Sequence, residues 1–215
     1  MQPISNSLHT LFVLAGILAL AVVLTHAAPL TEFSGEVGFS LEDPDSQKFV
    51  SNSFDLTIKI QSEIQAVLQA HTLPLPSDSE LGVMEVRLQV PSPKLRECLS
   101  RIYVESCLAQ IHAGLRLYRG FLPVVQHHVE PAQRHHVDTL FHDAKDLQKQ
   151  IHLQMLSLEL HLVSYPEEEG DLSSPPFLGG VSGESERRIG SYILLRNFKS
   201  FMMSVYRALR SLQRH

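Results

Sequence analysis

The sequence predicts an all-α fold, an up-up-down-down four-helix bundle with two long crossover loops. Apolar residues recur every three or four positions in four long segments, as in helices that bury one face, and almost nothing has the pattern of a strand. The connections between these segments are long, short and long. A short connection joins antiparallel neighbours, whereas a long one can return along the bundle and join parallel helices.

The first two helices are predicted over about 46–70 and 107–126. In each segment the apolar residues fall mainly on one side, so that side is expected to face a common core. The first helix contributes Val50, Phe54, Ile60, Ile64, Val67 and Leu68, and the second contributes Leu108, Ile111, Leu115, Leu117, Tyr118 and Leu122.

The third helix, predicted over about 135–163, has the most regular pattern, and the fourth is predicted over about 186–212. Steps of three or four residues persist along the whole third segment, which is typical of a bundle helix. The expected core residues are Val137, Leu140, Ala144, Leu147, Ile151, Met155, Leu158 and Leu162 in the third helix, and Ile189, Tyr192, Leu195, Phe198, Met202, Val205, Leu209 and Leu212 in the fourth.

The lengths of the connections indicate the helix directions. More than 30 residues separate the first and second helices, about eight separate the second and third, and about 22 separate the third and fourth. Twenty extended residues reach ~66 Å, which exceeds the ~37 Å length of a 25-residue helix. Both long connections can therefore join parallel helices, which is the arrangement of the four-helix cytokines. Four prolines interrupt any helix in the first connection, namely Pro74, Pro76, Pro91 and Pro93.

The N-terminal segment, 1–27, is predicted to be a signal peptide, followed by one secreted domain over 28–215. The first 31 residues contain no Asp, Glu, Lys or Arg, and 11–24 is an apolar run of 14 residues, shorter than the ~20 that span a bilayer. Thr25 and Ala27 are suitable residues before a signal-peptidase cut. A membrane anchor is the alternative, because the segment lacks the basic residues that usually begin a signal peptide.

Composition and motifs exclude several classes of function. The net charge of −5 argues against a general nucleic-acid binder, and the 44% hydrophobic content argues against disorder. Two cysteines are too few for a disulfide-rich scaffold or an all-cysteine zinc site. The sequence contains no P-loop, GxGxxG, HExxH or CxxC motif, so we predict no catalytic residues and no cofactor.

Cys98 and Cys107 are predicted to form a disulfide, because an even pair of cysteines in a secreted protein is usually oxidised. In one continuous helix their Cα atoms would be about 13.5 Å apart, beyond the roughly 4.4–6.8 Å that a disulfide allows. Either the backbone breaks between the two residues or the thiols stay apart. We favour the first interpretation, with the helix proper beginning near Cys107.

Ten of the twelve histidines follow the predicted cleavage site. His127-His128 and His135-His136 flank the short connection, so a zinc site is conceivable there. We favour a solvated, histidine-rich loop and predict no metal site. A secreted carrier of small apolar ligands, with the bundle interior as its pocket, is a further alternative.

Three segments resemble the granulocyte colony-stimulating factor family. Residues 105–122 (ESCLAQIHAGLRLYRGFL) closely resemble the second helix of that family, 137–140 (VDTL) the opening of its third helix, and 186–212 its fourth helix. Interleukin-6 shares the general Glu-x-Cys-Leu and C-terminal helix pattern and is the alternative, but GLRLYRGFL favours the first family. The family's second, earlier disulfide has no counterpart, because 71–77 contains no cysteine.

The resemblance implies a secreted, non-catalytic growth factor that binds and dimerises a class I cytokine receptor and promotes proliferation and differentiation of granulocyte-lineage cells. It implies a monomer when free, without binding to nucleic acid or insertion into membranes. An interleukin-6-like inflammatory cytokine is the alternative function. The receptor-contacting residues that the resemblance implies are Asp55 and Lys59 on the first helix, Asp143 and Asp146 on the third, and Glu80 in the first long connection, near a short helix.

Helical wheels agree with this placement. Asp55 and Lys59 point away from the apolar side of the first helix and, four residues apart, are expected to form a surface ion pair. Asp146 projects well away from the apolar stripe of the third helix, and Asp143 lies at the edge of that stripe. Neither aspartate is therefore expected to be needed for the core.

Overall fold

The computed structural model describes residues 43–72, 74–95, 98, 104–159, 181 and 183–213. These residues form five α-helices, one short 3-10 helix at Pro131–Gln133 and no strand. The predicted signal peptide, 1–27, lies outside the described residues. The helices are α1 (Pro44–Gln69), α2 (Asp78–Arg87), α3 (Val104–His128), α4 (Arg134–Ser157) and α5 (Glu184–Gln213).

The four long helices, α1, α3, α4 and α5, match the four predicted segments. The largest difference is at the end of α4, which was expected near residue 163. There Leu158 closes the helix with a hydrogen bond to the Gln154 carbonyl, and Glu159 takes a positive φ of 53°. A residue in this left-handed conformation ends an α-helix. Leu162, predicted for the core, lies outside the described residues.

The short helix α2 lies within the first connection, between the prolines that interrupt any longer helix there, and it carries Glu80, as the resemblance implies. It begins with a capping box: the Ser77 hydroxyl accepts from the Glu80 backbone N–H, and the Glu80 carboxylate accepts from the Ser77 backbone N–H. Leu81 of α2 is buried in the bundle core. The segment between Pro76 and Pro91 is therefore long enough for a helix that packs on the bundle.

Residue contacts give the helix directions. Later residues of α1 meet earlier residues of α4, so these two helices are antiparallel, and the α1–α5, α3–α4 and α3–α5 pairs behave in the same way. The predicted up-up-down-down order is confirmed. The contacts are Ser53–Gln150 and Lys59–Asp143 for α1 and α4, and Phe54–Tyr206 and His71–Tyr192 for α1 and α5. They are His112–His152 and Gln126–Arg134 for α3 and α4, and Tyr118–Phe198 and His128–Glu184 for α3 and α5.

The predicted apolar stripes form one core that draws on all four long helices. Most of their described residues are buried, and Phe54, Leu68, Leu117, Tyr192 and Leu212 are partly buried against it. At its centre the Tyr118 ring stacks on Phe198 with 4.5 Å between centroids. Burial raises the pKa of the Tyr118 hydroxyl.

One close helix contact depends on a glycine. A Cβ at Gly114 of α3 would lie 2.3 Å from the Phe201 ring of α5. Real atoms do not approach so closely, so the missing side chain lets the Phe201 ring pack directly on the α3 backbone.

The predicted disulfide between Cys98 and Cys107 is present, with 4.7 Å between the Cα atoms. Cys98 lies in a turn before α3, and Cys107 lies in the first turn of the helix, so the backbone does break between them. The Ser211 hydroxyl donates to the Cys98 carbonyl and links this turn to the end of α5. Among the described helices, none is long and apolar enough to cross a membrane.

Candidate functional site

The α1–α4 face carries four of the five residues predicted to contact a receptor. Lys59 of α1 donates from Nζ to Oδ1 of Asp143 on α4 at 2.7 Å. Asp55 and Asp146 are exposed on the same two helices. The hydrogen bond from Lys59 to Asp143 raises the pKa of Lys59, and the charges of Asp143, Glu63 and Asp146 raise it further.

The structure corrects the prediction for Asp143. That residue is 5% exposed and buried in the α1–α4 seam, whereas the helical wheel places it at the edge of the stripe and outside the core. It also takes the place of Asp55 as the ion-pair partner of Lys59. The reason is that α1 packs over this part of α4 and covers a side chain that its own helix alone would leave exposed.

Two further polar contacts extend the same seam in both directions. The Ser53 hydroxyl donates to the Gln150 side chain at 3.2 Å, and His136 Nδ1 lies 2.5 Å from Glu63 Oε2. Sequence reasoning missed these contacts, although His136, Asp143 and Gln150 recur at seven-residue intervals beside the apolar stripe of α4. That spacing is a usable signal for a polar seam between two helices. We call these three cross-helix contacts, with Lys59–Asp143 in the middle, the polar ladder.

Glu80 lies apart from this face, on α2. Its carboxylate accepts from the Ser77 hydroxyl and the Ser77 backbone N–H, and these two hydrogen bonds lower the pKa of Glu80. The side chain therefore has a structural role in starting α2. The helix itself is joined to α5 by ion pairs of Arg87 with Glu186 and of Arg196 with Glu85.

Comparisons with known proteins identify the family. A family model described as granulocyte colony-stimulating factor matches residues 58–210. The chain belongs to the granulocyte colony-stimulating factor family. It is 34% identical to myelomonocytic growth factor of Gallus gallus over 94% of this chain and 98% of the relative. It is 31% identical to granulocyte colony-stimulating factor of Canis lupus familiaris over 78% of this chain and 93% of the relative. It is 28% identical to that of Homo sapiens over 91% of this chain and 93% of the relative.

Membership of the granulocyte colony-stimulating factor family decides between the functions left open. The chain is a granulocyte colony-stimulating growth factor cytokine, and the family is not one of enzymes. A member of this family binds a cytokine receptor. The matched family favours the first of the two cytokine interpretations over interleukin-6.

Two histidines of this cytokine contact acidic residues of other helices. His128 Nδ1 lies 3.4 Å from Glu184 Oε1 of α5, and His136 contacts Glu63 of α1. The His135 ring lies beside that of His136, with 3.8 Å between ring centroids. In the part of the chain that the structure describes, no three His, Cys, Asp or Glu side chains converge as metal ligands.

The carrier alternative needs a pocket inside the bundle. One cavity lies where α1 and α3 end and α5 begins, and its volume is about 20 Å³. That is room for about one water molecule, whereas small-molecule pockets have volumes of roughly 300–1,000 Å³. Buried Ser191 and half-buried Gln133 line it. This cavity does not support a carrier function.

Proposed function

We propose that the chain is a secreted ligand that binds and dimerises a class I cytokine receptor, with granulocyte-lineage cells as its targets. The observation that carries the proposal is the α1–α4 face, where exposed Asp55 and Asp146 flank the Lys59–Asp143 ion pair. Exposed carboxylates of this kind suit a receptor surface with Arg or Lys, because complementary charges direct association and fix orientation.

The four residues of this face have different roles in the proposal. Asp55 and Asp146 contact the receptor directly, since both side chains are exposed. The Lys59 side chain is 53% exposed and can also contact it. Asp143 is a positioning residue, because its buried carboxylate holds the Lys59 ammonium in place.

A second receptor contact is proposed around Glu80. The residue lies on α2, and this helix packs against α5. Glu80 is therefore on a different surface from the α1–α4 face. Two separate surfaces would allow one ligand to contact two receptor chains, as dimerisation requires. Because Glu80 also caps α2, Glu80→Gln is a better test than Glu80→Ala: glutamine is the other residue that completes a capping box.

The double variant Asp55→Ala with Asp146→Ala tests the main surface. We expect receptor binding to fall at least about tenfold, because removing a charge that is paired and desolvated in a complex costs about 2–5 kcal/mol. Stability should change by less than about 0.5 kcal/mol per residue, as is usual for exposed side chains. Surface plasmon resonance on the receptor ectodomain and thermal unfolding measure the two effects.

The control replaces two acidic residues that lie outside the α1–α4 face. Glu105→Ala with Asp138→Ala changes the net charge equally, and both residues are exposed. This control should bind the receptor like the unmodified protein. Equal losses in both variants, or binding that survives in the Asp55 and Asp146 variant, would show that the receptor surface is wrongly placed.

Cell assays test the biological part of the proposal. Purified protein should produce granulocytic colonies from haematopoietic progenitors, whereas an acute-phase response in hepatocytes without colonies would favour an interleukin-6-like function.

Secretion is proposed from the apolar run 11–24 and the Thr25-His26-Ala27 sequence that follows it. Sequencing the N-terminus of protein from culture medium should give Ala28. Retention of the full chain in the membrane fraction would indicate an anchor.

A further inference from the structure

A groove runs along the outer side of α3 and α4, on the flank of α4 opposite the polar ladder. It is open to solvent and has a volume of about 560 Å³. Its walls combine basic and apolar side chains, and we call it the basic groove. The lining residues are Arg119, Gly120, Pro123, Val124, His127, Phe141 and Lys145.

Among the described residues, the cations at the basic groove have no acidic partners. Burial lowers the pKa of Arg119, and the charge of nearby Arg116 lowers it further. Lys149 follows Lys145 by one helical turn and is exposed like it. None of these four side chains forms an ion pair with a carboxylate of the described residues, whereas Lys59, Arg87, Arg188 and Arg196 do.

Acidic residues are few on this side of both helices. In α3 no Asp or Glu occurs after Glu105, which leaves 106–128 with two arginines and three histidines. In the middle of α4, Asp143 and Asp146 both raise the pKa of Lys59 of α1, so they belong to the flank of α4 that faces α1. Asp138, near the start of α4, is 3.9 Å from His142. The chain has a net charge of −5, so this positive surface is local and runs against the overall charge.

We propose that the basic groove binds a sulfated polysaccharide of the cell surface or extracellular matrix. Such a chain is a linear polyanion, and the four cations lie along two antiparallel helices, so it can contact them in succession. Sulfate oxygens accept paired hydrogen bonds from guanidinium groups, which suits Arg116 and Arg119. Half-buried Phe141 and Val124 offer apolar surface against the faces of the sugar rings.

The shape of the groove favours a polysaccharide over an acidic peptide. From Arg119 to His127 the α3 wall extends eight residues, or about 12 Å at 1.5 Å per residue. The groove is open to solvent, so a linear polyanion can lie along it. An extended peptide, by contrast, gains its specificity from pockets for alternate side chains. Because charges are screened beyond about 8 Å at physiological ionic strength, the polyanion must contact the groove itself.

Binding to immobilised heparin, measured by surface plasmon resonance in about 0.15 M NaCl, tests the proposal. We expect the unmodified chain to bind and its affinity to fall as salt is added. The double variant Arg119→Glu with Lys145→Glu should bind at least about tenfold more weakly. Arg119→Gln with Lys145→Gln should weaken binding in the same direction with less risk to folding, which circular dichroism checks.

The matched control is Lys48→Glu with Arg210→Glu. Both residues are exposed and form no ion pair with the described residues, and the charge change is identical. Heparin binding should persist in this control, and receptor binding should persist in Arg119→Gln with Lys145→Gln. No binding by the unmodified chain, equal loss in the control, or preference for polyglutamate over a heparin octasaccharide would each overturn the proposal.

Discussion

The two flanks of α4 use charge in opposite ways. Towards α1, the side chains of His136, Asp143 and Gln150 each meet a polar partner from the neighbouring helix. Towards α3, Lys145 shares a groove with Arg119, another cation, and neither has an acidic partner among the described residues. One helix therefore carries a matched flank and an unmatched flank.

The difference separates structural charge from charge available for binding. A buried carboxylate such as Asp143 must be paired, because an isolated buried charge is strongly destabilising. Uncompensated cations at a solvent-open groove cost little while water solvates them, and they remain free for an external anion. On the matched flank Asp55, Asp146 and the exposed part of Lys59 remain available to a receptor. Perturbing each flank separately tests this interpretation.

The largest effect on stability is expected for Gly114→Ala, which acts from the side of α3. The new methyl group would lie 2.3 Å from the Phe201 ring, and that ring is buried against Tyr118. Overpacking of this kind costs about 1–3 kcal/mol, which exceeds the gain of up to about 1 kcal/mol from helix propensity. We therefore expect net destabilisation in denaturant unfolding.

Gly82→Ala is the matched control for Gly114→Ala. Gly82 also lies inside a helix, but nothing lies within 4 Å of the position that its Cβ would take. It should stabilise the protein by about 0.5–1 kcal/mol through helix propensity alone. Should both alanines stabilise the protein, the close contact between α3 and α5 would be refuted. Because Gly114→Ala displaces α3, it should alter the basic groove more than the polar ladder.

The helices and their directions could be predicted from the sequence because they depend on patterns repeated over many residues. One atypical residue does not change the stripe of α4 or the length of a connection. The sequence does not as readily predict α2, since its flanking prolines suggest a loop. Its signal is local: Ser77 and Glu80 have the spacing of a capping box.

The two flanks of α4 could not be predicted from one helix at a time. A helical wheel places Asp143 relative to its own axis but does not show that α1 covers it. The basic groove likewise needs Arg119 and Lys145, which are 26 positions apart and meet only after α3 and α4 pack. Such properties belong to pairs of helices, and only the seven-residue spacing on α4 hinted at one of them.

Asp143→Ala tests the matched flank and is expected to have the next largest effect on stability. It removes a buried carboxylate that holds Lys59, so the melting temperature should fall by roughly 2–4 °C. Asp146→Ala, three residues away and exposed, should change it by less than about 1 °C. Similar effects of the two alanines would show that Asp143 is not part of the packed seam. Receptor binding should weaken in both variants, in Asp143→Ala because Lys59 loses its position.

Acidification tests the unmatched flank through His112. Burial, followed by the charges of His152, Arg116 and Arg119, lowers the pKa of His112, and the Gln148 amide donates to its Nε2. The unfolded chain, with an ordinary pKa of about 6.5, then takes up the proton first as the pH falls. Stability is therefore lost from about pH 6.5 downwards, until the lower pKa of the folded state is reached.

His112→Gln should reduce the fall in melting temperature between about pH 7.4 and 5.5, because it removes this difference in proton uptake. His127→Gln is the control, since His127 is exposed on the same flank. An unchanged pH profile in His112→Gln would mean that the folded protein accepts a proton at His112 without penalty.

Glu159→Gly should have the smallest effect, and it should leave both flanks unchanged. Glu159 has a φ of 53° directly after α4, a conformation that costs an ordinary residue about 1–2 kcal/mol and costs glycine little. The substitution also removes a negative charge from the C-terminal end of the helix dipole, which is favourable. We expect stabilisation of up to about 1 kcal/mol in urea unfolding, with unchanged receptor and heparin binding. Loss of stability would show that the Glu159 side chain makes a contact worth more than its strained backbone.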